Sequence, residues 1–164
     1  MTVDAIDLKI LEKLFEDGRL SYATIGKDIG LTGPSVYSRV QRLEREGIIK
    51  GYTTLLAPEK LGFGLTAFIR VTMQGTAEQE DSFEQFVRKE AQILECYDID
   101  GEDTYLLKVR TASPQMLRQL LIVLRLISGV TRTITTIALG RVKEELASAA
   151  LLTKTAEVRD EQAW

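Results

Sequence analysis

The stretch from Ser21 to Gly47 constrains the fold most, because it predicts two short helices joined by a tight turn. Ser21 and Thr32 each precede a helical pattern of apolar residues, and their hydroxyls suit the N-cap position. Gly30 and Gly47 follow the two patterns and can adopt the left-handed backbone that ends a helix. This spacing is typical of a helix-turn-helix unit.

The second of these helices has an apolar side and a polar side. Val36, Val40 and Leu43 repeat at i, i+4 and i+7 and mark the buried side. Glutamine and arginine carry paired groups that match base edges, and serine and tyrosine hydroxyls suit phosphates. The candidate DNA-binding residues are Ser35, Tyr37, Ser38, Arg39, Gln41, Arg42 and Arg45. An ordinary solvated helix is the alternative, which the helix-turn-helix spacing disfavours.

The charges favour a limited contact with double-stranded DNA. The chain has a net charge of −3, which argues against indiscriminate coating of nucleic acid. Six basic and three acidic residues lie between Arg19 and Lys50, a balance of +3 in an otherwise acidic chain. This local positive charge suits a sequence-selective contact.

The composition argues against an enzyme. The chain has no histidine, which removes Ser-His-Asp catalysis and imidazole zinc sites. We therefore expect no catalytic residue, no metal and no cofactor.

The sequence also bears on the compartment. Cys96 is the one cysteine, which fits a reducing compartment. No apolar run reaches the roughly 20 residues of a membrane span. We expect a cytoplasmic, nucleoid-associated protein with no membrane contact.

Four regions are expected along the chain. Residues 1–56 should form a winged helix-turn-helix DNA-binding domain, in which the β-rich segment Ile48–Ala57 forms a short wing or strand. Residues 57–64 hold one proline and two glycines and are predicted to be a linker. Residues 65–143 should form the second domain. Residues 144–164 are predicted to be a helix and a polar tail of no assigned function.

The second domain has the pattern strand, helix, strand, strand, helix, strand. This order predicts a ferredoxin-like βαββαβ domain, and so an α+β chain, with both helices on one face of an antiparallel sheet. The helix that begins after Ser113 is apolar nearly all round. Such a helix, like the other face of the sheet, needs a covering partner, which predicts a homo-oligomer.

Several motifs in this order resemble the Lrp/AsnC, or feast/famine, family of prokaryotic transcriptional regulators. They are Asp4-x-x-Asp7-x-x-Ile10-Leu11, the helix from Pro34 to Ile49, Pro58-Glu-Lys-Leu-Gly62, Glu95-Cys-Tyr97, and Gly101 followed by Tyr105-Leu-Leu-Lys108. The resemblance covers Asp4 to about Lys143. It implies a DNA-binding domain joined to an amino-acid-responsive domain, assembled as dimers and often as octamers, that is, tetramers of dimers.

The resemblance also implies a site for a small effector, typically an amino acid, between dimers. Carried over to this chain, it points to a hairpin and to a strand from a neighbouring subunit. The residues are Asp100, Gly101, Glu102, Asp103 and Thr104 in the hairpin and Thr133, Thr135 and Thr136 in the last strand.

One position departs from the family pattern. Members usually have Gly-x-x-Asp before an aromatic residue, whereas here Thr104 stands where the aspartate would be. An aspartate there could receive the ammonium group of an amino acid.

The expected function is a sequence-specific, effector-responsive regulator. The alternatives are a ligand-independent regulator, a nucleoid-associated assembly protein without a working effector site, and a protein whose helix-turn-helix contacts protein or RNA.

Overall fold

The computed structural model describes residues 3–144 and divides them into two compact units. The first unit runs to Thr54 and the second from Leu55 to Val142. The predicted C-terminal helix and tail lie outside the described residues from position 145 onward. Among residues 3–144, none of the helices combines the length and the apolar character of a membrane span.

The first unit contains three helices, α1 (Ala5–Glu16), α2 (Tyr22–Ile29) and α3 (Gly33–Arg45). Each begins after a side chain that accepts a hydrogen bond from the backbone of the first turn, namely Asp4, Ser21 and Thr32. The core residues Ile10, Ile25, Val36 and Val40 are fully buried. The predicted buried side of α3 is therefore correct.

A glycine holds α2 and α3 close together at their turn. Gly26 is buried, and its carbonyl accepts a hydrogen bond of 2.8 Å from the N–H of Leu31. A Cβ at position 26 would lie 2.5 Å from the carbonyl oxygen of Leu31. Only glycine therefore fits without a backbone shift.

The predicted wing is wrong in one respect. No strand lies between α3 and Ala57 in the described chain, although Ile49 packs on the helical core. A β-strand needs a hydrogen-bonding neighbour. The described part of the first unit offers no such neighbour, so the β-rich residues form no strand. Leu55 and Leu56, at the start of the second unit, are exposed. The predicted linker contains a 3₁₀ turn, Pro58–Leu61.

The second unit is the predicted βαββαβ arrangement. Its elements in chain order are β1 (Leu65–Met73), α4 (Ala77–Lys89), β2 (Ile93–Asp98), β3 (Tyr105–Thr111), α5 (Pro114–Leu126) and β4 (Val130–Ile137). The strand order in the sheet is β2-β3-β1-β4, and all neighbouring strands are antiparallel. The α+β fold is thus confirmed.

Both helices pack on one face of the sheet. The alternate residues Ile69 and Val71 of β1 pair with Leu107 and Tyr105 of β3, and all four are buried under the helices. The other face carries a mixture of apolar and charged side chains, and Phe68 is exposed there. Helix α5 likewise exposes apolar residues on its outer side, namely Ile122, Val123 and Leu126.

We expect Gly26→Ala to lower the free energy of unfolding of the first unit by about 1–3 kcal/mol, because the new methyl group must displace the backbone at Leu31. Chemical denaturation followed by circular dichroism measures this change. Gly64→Ala is the matched control, since a Cβ there meets nothing within 4 Å. Equal stability of the two variants would contradict the close approach.

Candidate functional site

The outer side of α3 exposes a polar surface. Ser35, Tyr37, Ser38 and Arg45 are exposed, as expected. The Ser35 hydroxyl is hydrogen-bonded to that of Thr32 at 2.8 Å, and Ser38 donates to a backbone carbonyl one turn earlier. The Tyr37 ring lies against that of Tyr22, with 5.8 Å between ring centroids. These contacts fix the side chains while leaving their outer atoms accessible to a ligand.

Arg39 and Arg42 are both bound to aspartates of α1. Nη1 of Arg39 donates to Asp4 at 2.6 Å and to Asp7 at 2.8 Å. Nη2 of Arg42 donates to the other carboxylate oxygen of Asp7. Helical periodicity places Arg42 on the outer side of α3, away from Val40 and Leu43, but its charge is instead drawn to the fully buried Asp7 carboxylate. Their contact with DNA stays a prediction.

The acidic partners of these arginines belong to the N-terminal cap of α1. Asp4 and Asp7 form a capping box, in which each side chain accepts from the backbone of the other. Partial burial raises the pKa of Asp4, but hydrogen bonds from Arg39 and Asp7 outweigh this effect and hold the pKa below its ordinary value. Nothing in the sequence indicated the arginine partners of this cap.

Gln41 is half-buried and hydrogen-bonded on its own helix. Its Nε2 donates to Oε2 of Glu44 at 2.8 Å. The other oxygen of Glu44 accepts from the hydroxyl of Tyr52 at 3.1 Å. Neither Glu44 nor Tyr52 was a candidate from the sequence, because Tyr52 lies in the segment after α3 and reaches the helix only in the folded unit.

The predicted effector residues of the hairpin differ in their surroundings. Asp100, Gly101 and Glu102 are exposed, and Gly101 has φ 136°, a conformation that favours glycine. Asp103 is only 7% exposed and accepts a hydrogen bond of 2.9 Å from Thr72. Thr104 is half-buried and extends the hydrogen-bonding between β3 and β1. Its N–H donates to the Val71 carbonyl, and its hydroxyl accepts from the Met73 N–H at 3.0 Å.

Two arginines neutralise Asp103. Arg132 lies 3.2 Å from Oδ1, and Arg70 lies 3.6 Å from Oδ2. The hydrogen bond from Thr72 is the largest influence on the pKa of Asp103 and lowers it, whereas burial raises it. Arg132 lowers the pKa further, so that it lies below its ordinary value. The hairpin and the start of β4 therefore meet within one chain, through Arg132.

The three predicted threonines of β4 lie on both faces of the sheet. Thr133 and Thr135 pair with core residues of β1, whereas Thr136 pairs with Phe68 of the opposite face. The Thr133 hydroxyl accepts from Nε of Arg125 at 2.8 Å, beside a depression of about 250 Å³ that Arg132 also lines. The buried hydroxyl of Thr135 has no hydrogen-bond partner among the described residues. Within residues 3–144, no group of three or more potential ligand side chains is placed to hold a metal ion.

Comparison with known protein families identifies both units. Residues 3–44 match the AsnC-type helix-turn-helix domain, and residues 66–147 match the Lrp/AsnC ligand binding domain. The leucine-responsive regulatory protein of Escherichia coli is 41% identical over 147 residues, which are 87% of this chain and 88% of that protein. The protein of the same name from Klebsiella pneumoniae has the same identity and coverage.

Solved structures agree with this assignment. A transcriptional regulator from Neisseria meningitidis, in complex with L-methionine, has a TM-score of 0.83 and 31% identity, over 88% of this chain and 95% of that chain. Escherichia coli AsnC has a TM-score of 0.83 and 26% identity, over 90% of this chain and 99% of that chain.

These similarities confirm the main functional predictions. The chain is a DNA-binding transcription regulator with a small-molecule effector domain, and the expectation that it is not an enzyme is confirmed by the family. The chain belongs to the Lrp/AsnC family of transcriptional regulators.

Proposed function

We propose that α3 is the recognition helix of a sequence-specific regulator and lies in the major groove of duplex DNA. The observation that carries this proposal is the polar outer side of α3, opposite a fully buried apolar side. Its proposed contact residues are Ser35, Tyr37, Ser38, Gln41 and Arg45.

Arg39 and Arg42 have different proposed roles. Arg39 uses Nη1 for the aspartates, while its Nη2 and Nε have no partner among the described residues and are available to a phosphate. Arg42 is half-buried and serves mainly to hold α3 against Asp7. The two arginines thus contribute little free charge to the DNA interface.

The domain roles follow the predicted boundaries. Residues 1–56 bind DNA, residues 57–64 connect, and residues 65–143 bind the effector and assemble the protein. We propose dimers and tetramers of dimers, because the open face of the sheet and the outer side of α5 expose apolar residues. This assembly places several recognition helices on one duplex, which strengthens binding through multivalency.

An amino acid is the proposed effector. The names of the relatives mention leucine, and one similar structure holds L-methionine. The proposed site is the hairpin from Asp100 to Thr104 together with the threonines at positions 133, 135 and 136. Arg125 and Thr133 beside the depression could receive a carboxylate. Since Thr104 offers no carboxylate, Asp103 is the buried acidic residue of the proposed hairpin site.

We expect wild-type protein to bind an operator duplex more tightly than a scrambled duplex near physiological salt. We assign Arg45, exposed in the last turn of α3, to a phosphate rather than to a base edge. Because a phosphate contact carries no sequence information, Arg45→Ala should weaken binding to both duplexes by a similar factor. It should also reduce the slope of log affinity against log salt concentration by about 1. Fluorescence anisotropy at several salt concentrations measures both effects.

The control for this measurement is Lys89→Ala, an exposed cation at the end of α4. It should leave the affinity and the slope at their wild-type values. An unchanged slope in Arg45→Ala would remove Arg45 from the interface. Equal wild-type affinity for the two duplexes would contradict sequence-specific binding.

We expect at least one common amino acid to raise the melting temperature of the wild-type protein, because a ligand that binds the folded state stabilises it. Asp103→Asn should reduce this increase, whereas Asp81→Asn, at an exposed position of α4, should retain it. A thermal-shift scan of the amino acids measures both. No increase with any amino acid would favour the ligand-independent alternative.

A further inference from the structure

The carboxylate of Glu44 joins two segments of the first unit. Gln41 and Glu44 lie one turn apart on α3, while Tyr52 lies in the extended segment that follows the helix. Oε2 accepts from Gln41 at 2.8 Å and Oε1 accepts from Tyr52 at 3.1 Å. Each carboxylate oxygen of Glu44 therefore accepts a hydrogen bond from a different segment of the first unit.

The partner of Gln41 determines which way its amide faces. A carboxylate can only accept hydrogen bonds, so Gln41 must turn its NH₂ group toward Glu44. The torsion that carries the amide is broad and roughly two-fold, so an unheld amide exchanges its oxygen and nitrogen positions readily. The hydrogen bond to Glu44 removes this freedom.

We propose that Glu44 is a positioning residue for base recognition, which orients the Gln41 amide toward adenine, and that Tyr52 holds Glu44 in place. With one N–H bound to Glu44, Gln41 keeps its Oε1 and a second N–H. An oxygen acceptor beside an N–H donor is the pair that recognises N6 and N7 of adenine in the major groove. The expected preference is for an A·T pair at the position that faces Gln41.

The surroundings of Tyr52 support this role. Its ring lines a hollow with Leu14, Leu20 and Tyr22, and Cδ1 lies 3.6 Å from the position that a Cβ on Gly18 would occupy. Partial burial and the hydrogen bond to Glu44 raise the pKa of Tyr52 to about 12. The phenol is therefore protonated at neutral pH and remains a donor to Glu44.

This inference rests on the proposed DNA binding by α3, and its test separates the two. A selection from randomised duplexes with the full-length wild-type protein yields its preferred sequence. Dissociation constants are then measured for that duplex and for each single base-pair change. Gln41→Ala should lose a preference of about tenfold at one A·T pair.

Two further variants test the positioning itself. Glu44→Gln should reduce the preference at the same pair, because its amide offers one acceptor oxygen to the two donors, Gln41 and Tyr52, and so no longer fixes one orientation of Gln41. This change also removes a negative charge, which raises affinity for every duplex, so the ratio between duplexes is the relevant quantity. Tyr52→Phe keeps the ring and removes its donor, and it should reduce the preference at that pair in the same direction.

Tyr97→Phe is the matched control. Its hydroxyl also donates to a glutamate, Glu95, at 3.1 Å, and it is about as exposed as Tyr52, but it lies on β2 of the second unit. The wild-type preference should persist in this variant. Circular dichroism establishes whether each variant is folded. If Glu44→Gln does not fold, the preference measured for Tyr52→Phe tests the proposed positioning of Gln41.

Three results would overturn the inference. The first is that Glu44→Gln and Tyr52→Phe both keep the full preference of the wild-type protein at the base pair that faces Gln41. The second is a preference at that pair for a base other than adenine. The third is that Gln41→Ala changes the preference at no base pair. In each case sequence-specific binding by the wild-type protein would still stand. A wild-type protein that does not discriminate between duplexes would instead contradict the proposed function.

Discussion

The buried carboxylate of Asp7 is the constraint on which the geometry of the first unit depends. It lies at the start of α1, fully buried, and receives one hydrogen bond from the backbone and one from each of two arginines of α3. A buried charge is tolerated only when its hydrogen bonds are satisfied. Helix α3 must therefore keep the position that brings Arg39 and Arg42 to α1.

This constraint divides the polar residues of α3 into two sets. Arg42 and the Nη1 group of Arg39 are bound to aspartates of α1, while Ser35, Tyr37, Ser38 and Arg45 lie on the outer side of α3 without such a partner among the described residues. The positive charge counted along the sequence thus overstates the charge available to DNA. In the proposed complex with DNA, recognition therefore depends on hydrogen-bonding groups of α3 more than on general attraction to phosphates.

The second unit also uses a nearly buried aspartate with two arginines. Asp103 joins the hairpin to β1 and β4 through Thr72, Arg70 and Arg132. Thr104, at the position that departs from the family pattern, bonds the backbone of β1. The region implied as an effector site is thus also a structural junction, so ligand contacts there can alter how the strands are held together.

The sequence by itself determined the elements of this protein, because caps, apolar periodicity and turn glycines act within a few residues of the chain. It therefore predicted α2 and α3, the βαββαβ order and the buried side of α3, and its motifs predicted the family. Only the tertiary structure decided the partners of Arg39, Arg42 and Gln41, and only it showed that the described stretch between α3 and Ala57 forms no strand. Hydrogen bonds such as that of Arg42 with Asp7 join residues 35 positions apart. Helical periodicity places a side chain on a face, but it does not show which charge from another helix meets that face.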